Sequence, residues 1–128
     1  MHITDIAGTA RRRAPVPGGP TAAVLTAGDA DQVAVMHLEI PADGGMPEHD
    51  HGPSQIVLIP VAGSVEVHHG GQVEVLSRGA VAHIGVGERV SLANPGGEPA
   101  SLMVVVSPPE FARRLASWPL AGAAESPA

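Results

Sequence analysis

Two imidazoles one residue apart, in His49-Asp50-His51, are the strongest chemical signal in this chain. In an extended segment residues i and i+2 project to the same face, so both rings can aim at one point. Such a pair can take a divalent ion, at Zn–N distances of about 2.0–2.1 Å, or it can make ordinary hydrogen bonds. Gln55 follows four residues later, and a turn at Gly52-Pro53 can return its amide oxygen toward the same ion. The spacing alone leaves metal and hydrogen-bonded histidine both open.

The rest of the composition narrows the chemistry to imidazole and carboxylate. Seven histidines stand in 128 residues that contain no Cys, so disulfides, thiolate metal sites and Cys nucleophiles are excluded. All seven basic residues are Arg, which removes Schiff-base lysine chemistry and a P-loop lysine. With no Tyr, one Phe and one Trp, an aromatic platform for stacking bases cannot be built. The net charge of −6 argues against nucleic acid and anionic lipid as partners. The triplet Arg11-Arg12-Arg13 is read as part of a solvated tail. No apolar run approaches a membrane span and no apolar signal core follows the arginines, so a cytoplasmic location is expected.

The elements that must position these residues read as short strands. A hydrophobic content of 44% over one uninterrupted block gives a single core. Residues 1–20, rich in Gly, Pro, Ala and Arg from Ala7 on, read as a flexible arm, 21–118 as the folded domain, and 119–128 as a disordered tail. In the run Val33 to Ile40, Ala34, Met36, Leu38 and Ile40 share one face, with Val35, His37 and Glu39 on the other. Ile56 to Val61 is an apolar run broken at Pro60. Val65–His69 and Gln72–Leu76 flank Gly70-Gly71, a two-residue hairpin signal. Val81–Ile84, Val90–Ala93 and Leu102–Ser107 complete the set, predicting an all-β sandwich or barrel. One short C-terminal helix is predicted, with Ser107 as N-cap and Glu110 closing a capping box. Its apolar stripe, Phe111, Leu115 and Trp118, is expected to pack on the outside of the barrel.

Two segments in order carry a resemblance. Gly44 to Gly63, GGMPEHDHGPSQIVLIPVAG, resembles the first motif of the cupin superfamily: Gly, two His one residue apart, an acidic residue three or four later, and a closing Gly. Gly79 to Asn94, GAVAHIGVGERVSLAN, resembles the second, with Gly79, Gly87 and Asn94 on their expected places. The resemblance implies a cupin-type jelly-roll β-barrel with an internal ligand pocket, often dimeric. It also implies His49, His51 and Gln55 as metal ligands.

Three departures qualify it. Gln55 stands for the usual Glu, Gly85 for the usual Pro, and Val90 for the usual second-motif His, so the family's three-His, one-Glu set is incomplete. Either another side chain completes the set, with His83 the leading candidate and His37 and His69 next, or the metal is lost. A neutral set of His and amide favours Lewis-acid chemistry on a small organic substrate, with Zn²⁺ the first expectation and Ni, Mn or Fe as alternatives. Glu39 and His83 are the candidate catalytic residues. A cupin dioxygenase and a non-catalytic ligand-binding or accessory subunit are the competing readings. Open edge strands suggest a homodimer. Bland readings fall to Asp50 (solvated), Glu48 (a rim charge), Glu88 with Arg89 (a surface pair), and Glu66 with Glu74 (facing across the hairpin). His2 and His68 read as surface residues, and Ser54 and Ser91 carry no nucleophile signal.

Overall fold

The computed structural model describes residues 1–27 and 31–122. Ten strands run in order: β1 (Arg12–Arg13), β2 (Thr21–Thr26), β3 (Ala34–Ile40), β4 (Gly45–His49), β5 (Gln55–Ala62), β6 (Ser64–His69), β7 (Gln72–Ser77), β8 (Ala82–Ile84), β9 (Val90–Ala93) and β10 (Ala100–Ser107). A short helix α1 (Glu110–Arg114) and a 3₁₀ turn (Leu115–Ser117) follow. The strands form two antiparallel sheets, ordered β1-β2-β3-β10-β5-β8 and β4-β9-β6-β7. They face each other as an open jelly roll rather than a closed barrel. Among the described residues no helix is long and apolar enough to cross a membrane.

Period-two alternation builds the interior. Ala34, Met36, Leu38 and Ile40 of β3 are all buried, as are Ile56 and Leu58 of β5, Val90 and Leu92 of β9, and Leu102, Val104 and Val106 of β10. They join one apolar cluster between the sheets. The hairpin at Gly70-Gly71 forms as expected, with φ of +53° and +77°, which side chains bearing a Cβ rarely adopt. Asn94 locks a corner: its buried amide donates to the carbonyls of Ile40 (3.1 Å) and Glu98 (2.8 Å) and accepts from Gly96 N–H.

Several expectations are corrected. Pro60 does not break β5, which runs through it to Ala62; the β5–β10 register shifts beside it, with Val61 of β5 the extra residue between the pairs Pro60–Leu102 and Ala62–Ser101. The segment before residue 21 is not wholly an arm. Arg12 and Arg13 pair with Ala22 and Thr21, and Ala14 and Pro20 are buried. The tail expected from residue 119 begins in order, since Arg12 bridges Leu120; residues 123–128 lie outside those described. Glu66 and Glu74 do not face each other, being opposite Val75 and Val67; Glu66 instead contacts His68 at 3.0 Å. Arg89 pairs with Asp50 (3.2 Å) and Glu48 (3.6 Å) rather than with Glu88.

The helix start also differs. Ser107 makes no cap; its hydroxyl donates to the Gln32 carbonyl. The capping oxygen comes from across the fold. Ser54, with no exposed surface, accepts the Phe111 N–H at 3.2 Å and donates to the Pro108 carbonyl. One hydroxyl therefore ties the loop after His51 to the start of α1.

Candidate functional site

The histidine pair sits where β4 ends and the chain turns into β5. His49 is the last residue of β4 and pairs in register with Val90. The two rings lie on one side of the chain, centroids 4.7 Å apart and edge to face at 71°. Phe111 completes a three-ring cluster, 4.7 Å from His51 and 6.3 Å from His49. The turn between the histidines and β5 needs Gly52 at φ +59°. A Cβ there would also meet the Arg114 guanidinium at 2.2 Å.

The imidazoles differ in what they have left to offer. His49 Nδ1 is 2.7 Å from the Pro47 carbonyl. A carbonyl only accepts, so Nδ1 carries the hydrogen and the neutral ring keeps its Nε2 lone pair free. His51 is buried, and its Nδ1 has no hydrogen-bond partner. Burial first, and then the neighbouring His49, push its pKa down to about 4, with Asp50 opposing. His51 is therefore neutral at pH 7. Asp50 does not simply face solvent: the Gly52 N–H, then Arg89, Arg114 and His51, hold its carboxyl below the usual range.

Both rings open on a small cavity of about 40 Å³ whose other walls are Pro20, Met36, Leu38, Met46, Ile56, Leu58, Leu92, Val104, Phe111, Leu115 and Trp118. The helix stripe thus closes the pocket instead of packing on the outside. Apart from the two histidines the lining is apolar. Leu115 is fully enclosed, while Phe111 and Trp118 are half-buried.

The remaining expected site residues lie elsewhere. Gln55 is exposed on the outer face of β5, where its Oε1 accepts from His83 Nε2 at 2.8 Å. His83 shares that outer face with exposed Val81, so the two are a surface pair and do not meet His49 or His51. The inward place is held by Ile56, one residue on. The physical reason is phase: Gln55 lies four residues after His51 and Ile56 five, and a step of one residue reverses the face. Glu39 is exposed on the outer face of β3. Among the described residues no group of three His, Cys, Asp or Glu could hold a metal ion. The buried residues at and beside the family's Glu and second-motif His places are apolar: Ile56 lies next to Gln55 and faces inward, and Val90 stands opposite His49.

His37 lies on the outer face of β3, buried beneath the N-terminal segment. Its Nδ1 is 3.0 Å from an Arg11 guanidinium nitrogen and its Nε2 contacts the Ser101 hydroxyl. Arg11 only donates, so Nδ1 accepts and Nε2–H donates to Ser101 Oγ. This is the wrong polarity for activating a serine nucleophile. Arg11 is not a solvated tail residue, since it also bonds Thr21 Oγ1 and the Thr21 carbonyl.

Sequence reasoning missed Phe111 and Arg114 as site residues. Helical spacing showed that Phe111 would be buried, but nothing local pointed to its partner.

The sequence matches no protein-family model and no curated protein. Solved structures of similar shape are numerous. A predicted oxalate decarboxylase of Thermotoga maritima superposes with a TM-score of 0.73 at 17% identity, covering 83% of this chain and 98% of that one. The polyketide cyclase RemF of Streptomyces resistomycificus gives 0.73 at 21% identity, covering 84% and 79%. An RmlC-like cupin of Shewanella frigidimarina gives 0.69 at 18% identity, covering 84% and 91%.

Proposed function

From the premise that this chain has the cupin fold, we propose that it is a small cupin enzyme acting on a small organic molecule. The pocket of His49, His51 and Phe111 is the working site. The observation that carries this reading is the orphaned ring nitrogen of His51. A buried polar group without a partner costs about 1–3 kcal/mol, and a ligand atom or an ion would relieve it.

His49 and His51 are the residues that would hold a divalent ion, Zn²⁺ first, with Ni, Mn or Fe as alternatives. The donor set fits in part. Two imidazoles are present, whereas a catalytic zinc commonly takes three protein ligands. Solvent or substrate oxygen would have to supply the remaining ligands, since Ile56 and Val90 offer none. Such an ion supplies Lewis-acid polarisation of a carbonyl or carboxyl group, suited to cyclisation, isomerisation, elimination or rearrangement. The chain's own residues do the rest. Pro47 fixes the His49 ring through Nδ1–H. The single lone pair of neutral His51 would serve either the ion or a donor on the substrate, not both. Met36, Leu38, Leu115 and Trp118 receive the apolar part and exclude water. The polyketide cyclase among the similar structures supports an enzyme of this type. The dioxygenase alternative gains nothing from the geometry, because Glu39 and Glu48 are both exposed.

The apolar character of Ile56 and Val90 favours a second reading, a ligand-binding or accessory cupin without a metal. Elemental analysis of purified protein separates them. The enzyme reading expects stoichiometric divalent metal that is lost in the His49→Ala/His51→Ala double variant. Metal retained by that variant overturns the site. No bound metal, and no rise in melting temperature with added Zn²⁺, Ni²⁺, Mn²⁺ or Fe²⁺, selects the accessory reading. A homodimer belongs to either reading, since the sheets end in outermost strands, β1 and β8 in one and β4 and β7 in the other; light scattering at twice the chain mass is the expected result.

A further inference from the structure

We infer that Arg114 selects the ligand of this pocket, and that the class it selects is small organic carboxylates. The inference rests on the pocket reading above and adds the chemistry of what enters.

The small cavity is not the whole space. Met46, His49, Phe111, Leu115 and Trp118 also line an outer groove of about 240 Å³, whose remaining walls include Asp50 and Arg114. The two spaces share five lining residues and so lie against the same side chains, and the ligand we infer spans both. The inner space is apolar and the outer one carries a cation. A ligand that fits has an apolar end and a negatively charged end, with the His49 ring between them.

Arg114 is exposed, and its guanidinium makes no ion pair or hydrogen bond among the described residues, although its charge acts on Asp50. It lies 5.4 Å from the centre of the Phe111 ring and against Gly52, where a Cβ would sit 2.2 Å from its Nη2. These contacts restrict the plane of the fork yet use none of its five N–H donors. No carboxylate among the described residues comes within ion-pair distance of it. Asp50 is nearby, but its Oδ1 accepts the Gly52 N–H and its Oδ2 pairs with Arg89, which also draws Glu48. Arg89 thereby takes Asp50, which lines the groove, together with Glu48. Arg113, the other arginine of α1, contacts Glu110 and lines a different groove. In a chain of net charge −6, a positioned guanidinium with open donors beside two imidazoles marks where an anion docks. A planar carboxylate matches the fork.

The test uses matched pairs of probes, hexanoate with hexanamide and benzoate with benzamide. Binding to the full-length protein is read from amide chemical shifts of His51, Gly52 and Phe111. The carboxylate of each pair is expected to bind about tenfold more tightly than its amide. That preference should shrink in 1 M salt, disappear in Arg114→Gln, and persist in Arg113→Gln, which removes the same charge from the same helix. Equal binding of acid and amide overturns the role of Arg114 while leaving the pocket reading intact. A preference that survives Arg114→Gln but vanishes in His49→Gln assigns the anion to the imidazole and also overturns it. If none of the probes moves these signals, the pocket reading fails and the inference fails with it.

Discussion

Two nearly buried histidines sit on opposite sides of one sheet and lead opposite lives. His37, on the outer face, is 6% exposed, and both ring nitrogens are engaged, by Arg11 and by Ser101. His51, at the inner pocket, is 5% exposed, and its Nδ1 has no partner. Burial lowers the pKa of both; Arg11 adds to the effect at His37, and His49 at His51. Burial and titration therefore do not distinguish them, and hydrogen-bond satisfaction does. A satisfied imidazole is part of the scaffold. An unsatisfied one is a cost that the scaffold carries, and sites for ligands are where such costs are found.

The contrast can be broken experimentally. The largest effect should come from His37→Ala, which leaves a cavity and strips the Arg11 guanidinium of an acceptor. We expect a loss of about 3 kcal/mol, roughly 10 °C in melting temperature, with probe binding at the pocket unchanged. A loss of binding equal to that of a pocket variant would collapse the distinction.

Acid should act through His51 next. In chelator-stripped protein its folded pKa of about 4 lies below the unfolded value near 6.5. The unfolded chain therefore binds more protons between those values, and stability falls as pH drops from about 6.5 toward 4. On the order of 2 kcal/mol should be lost across that window, and His51→Phe should flatten part of the slope in thermal melts. An unchanged slope would place the titration elsewhere, with His37 as the first suspect.

Ser54→Ala removes both hydroxyl bonds that seat α1. It should cost about 1–2 kcal/mol by denaturant titration and weaken probe binding along with stability. The smallest and most telling effect is on the stability of His51→Phe. An aromatic ring of similar shape without an unmet nitrogen should hold or raise the unfolding free energy, by up to about 1 kcal/mol, while metal and probe binding disappear. A clear destabilisation would mean that the ring already has a partner in the folded chain.

How far the sequence reaches is visible at single residues. The meeting of the His49 and His51 rings was legible because a single residue separates them, and the Gly70-Gly71 turn because its role is local. Gln55 was not, since the turn at Gly52-Pro53 resets the phase and places Ile56 inward. His83 failed for the same reason, its face being fixed by pairing with Val57 and not by its own neighbours. The helix cap was invisible because Ser54 lies 57 residues from the N–H it accepts. Arg11 and Arg114 read as surface charge for a related reason: what an arginine stacks on or bonds to is decided by tertiary contacts.

One aromatic of the closing stripe has a further use. Trp118 lines both the inner cavity and the outer groove, and the chain contains no other Trp and no Tyr. Light absorbed near 295 nm is therefore emitted from a single place, the wall of the pocket. Quenching or a spectral shift upon adding a compound reports occupancy of that wall, so the unlabelled protein is its own screening sensor.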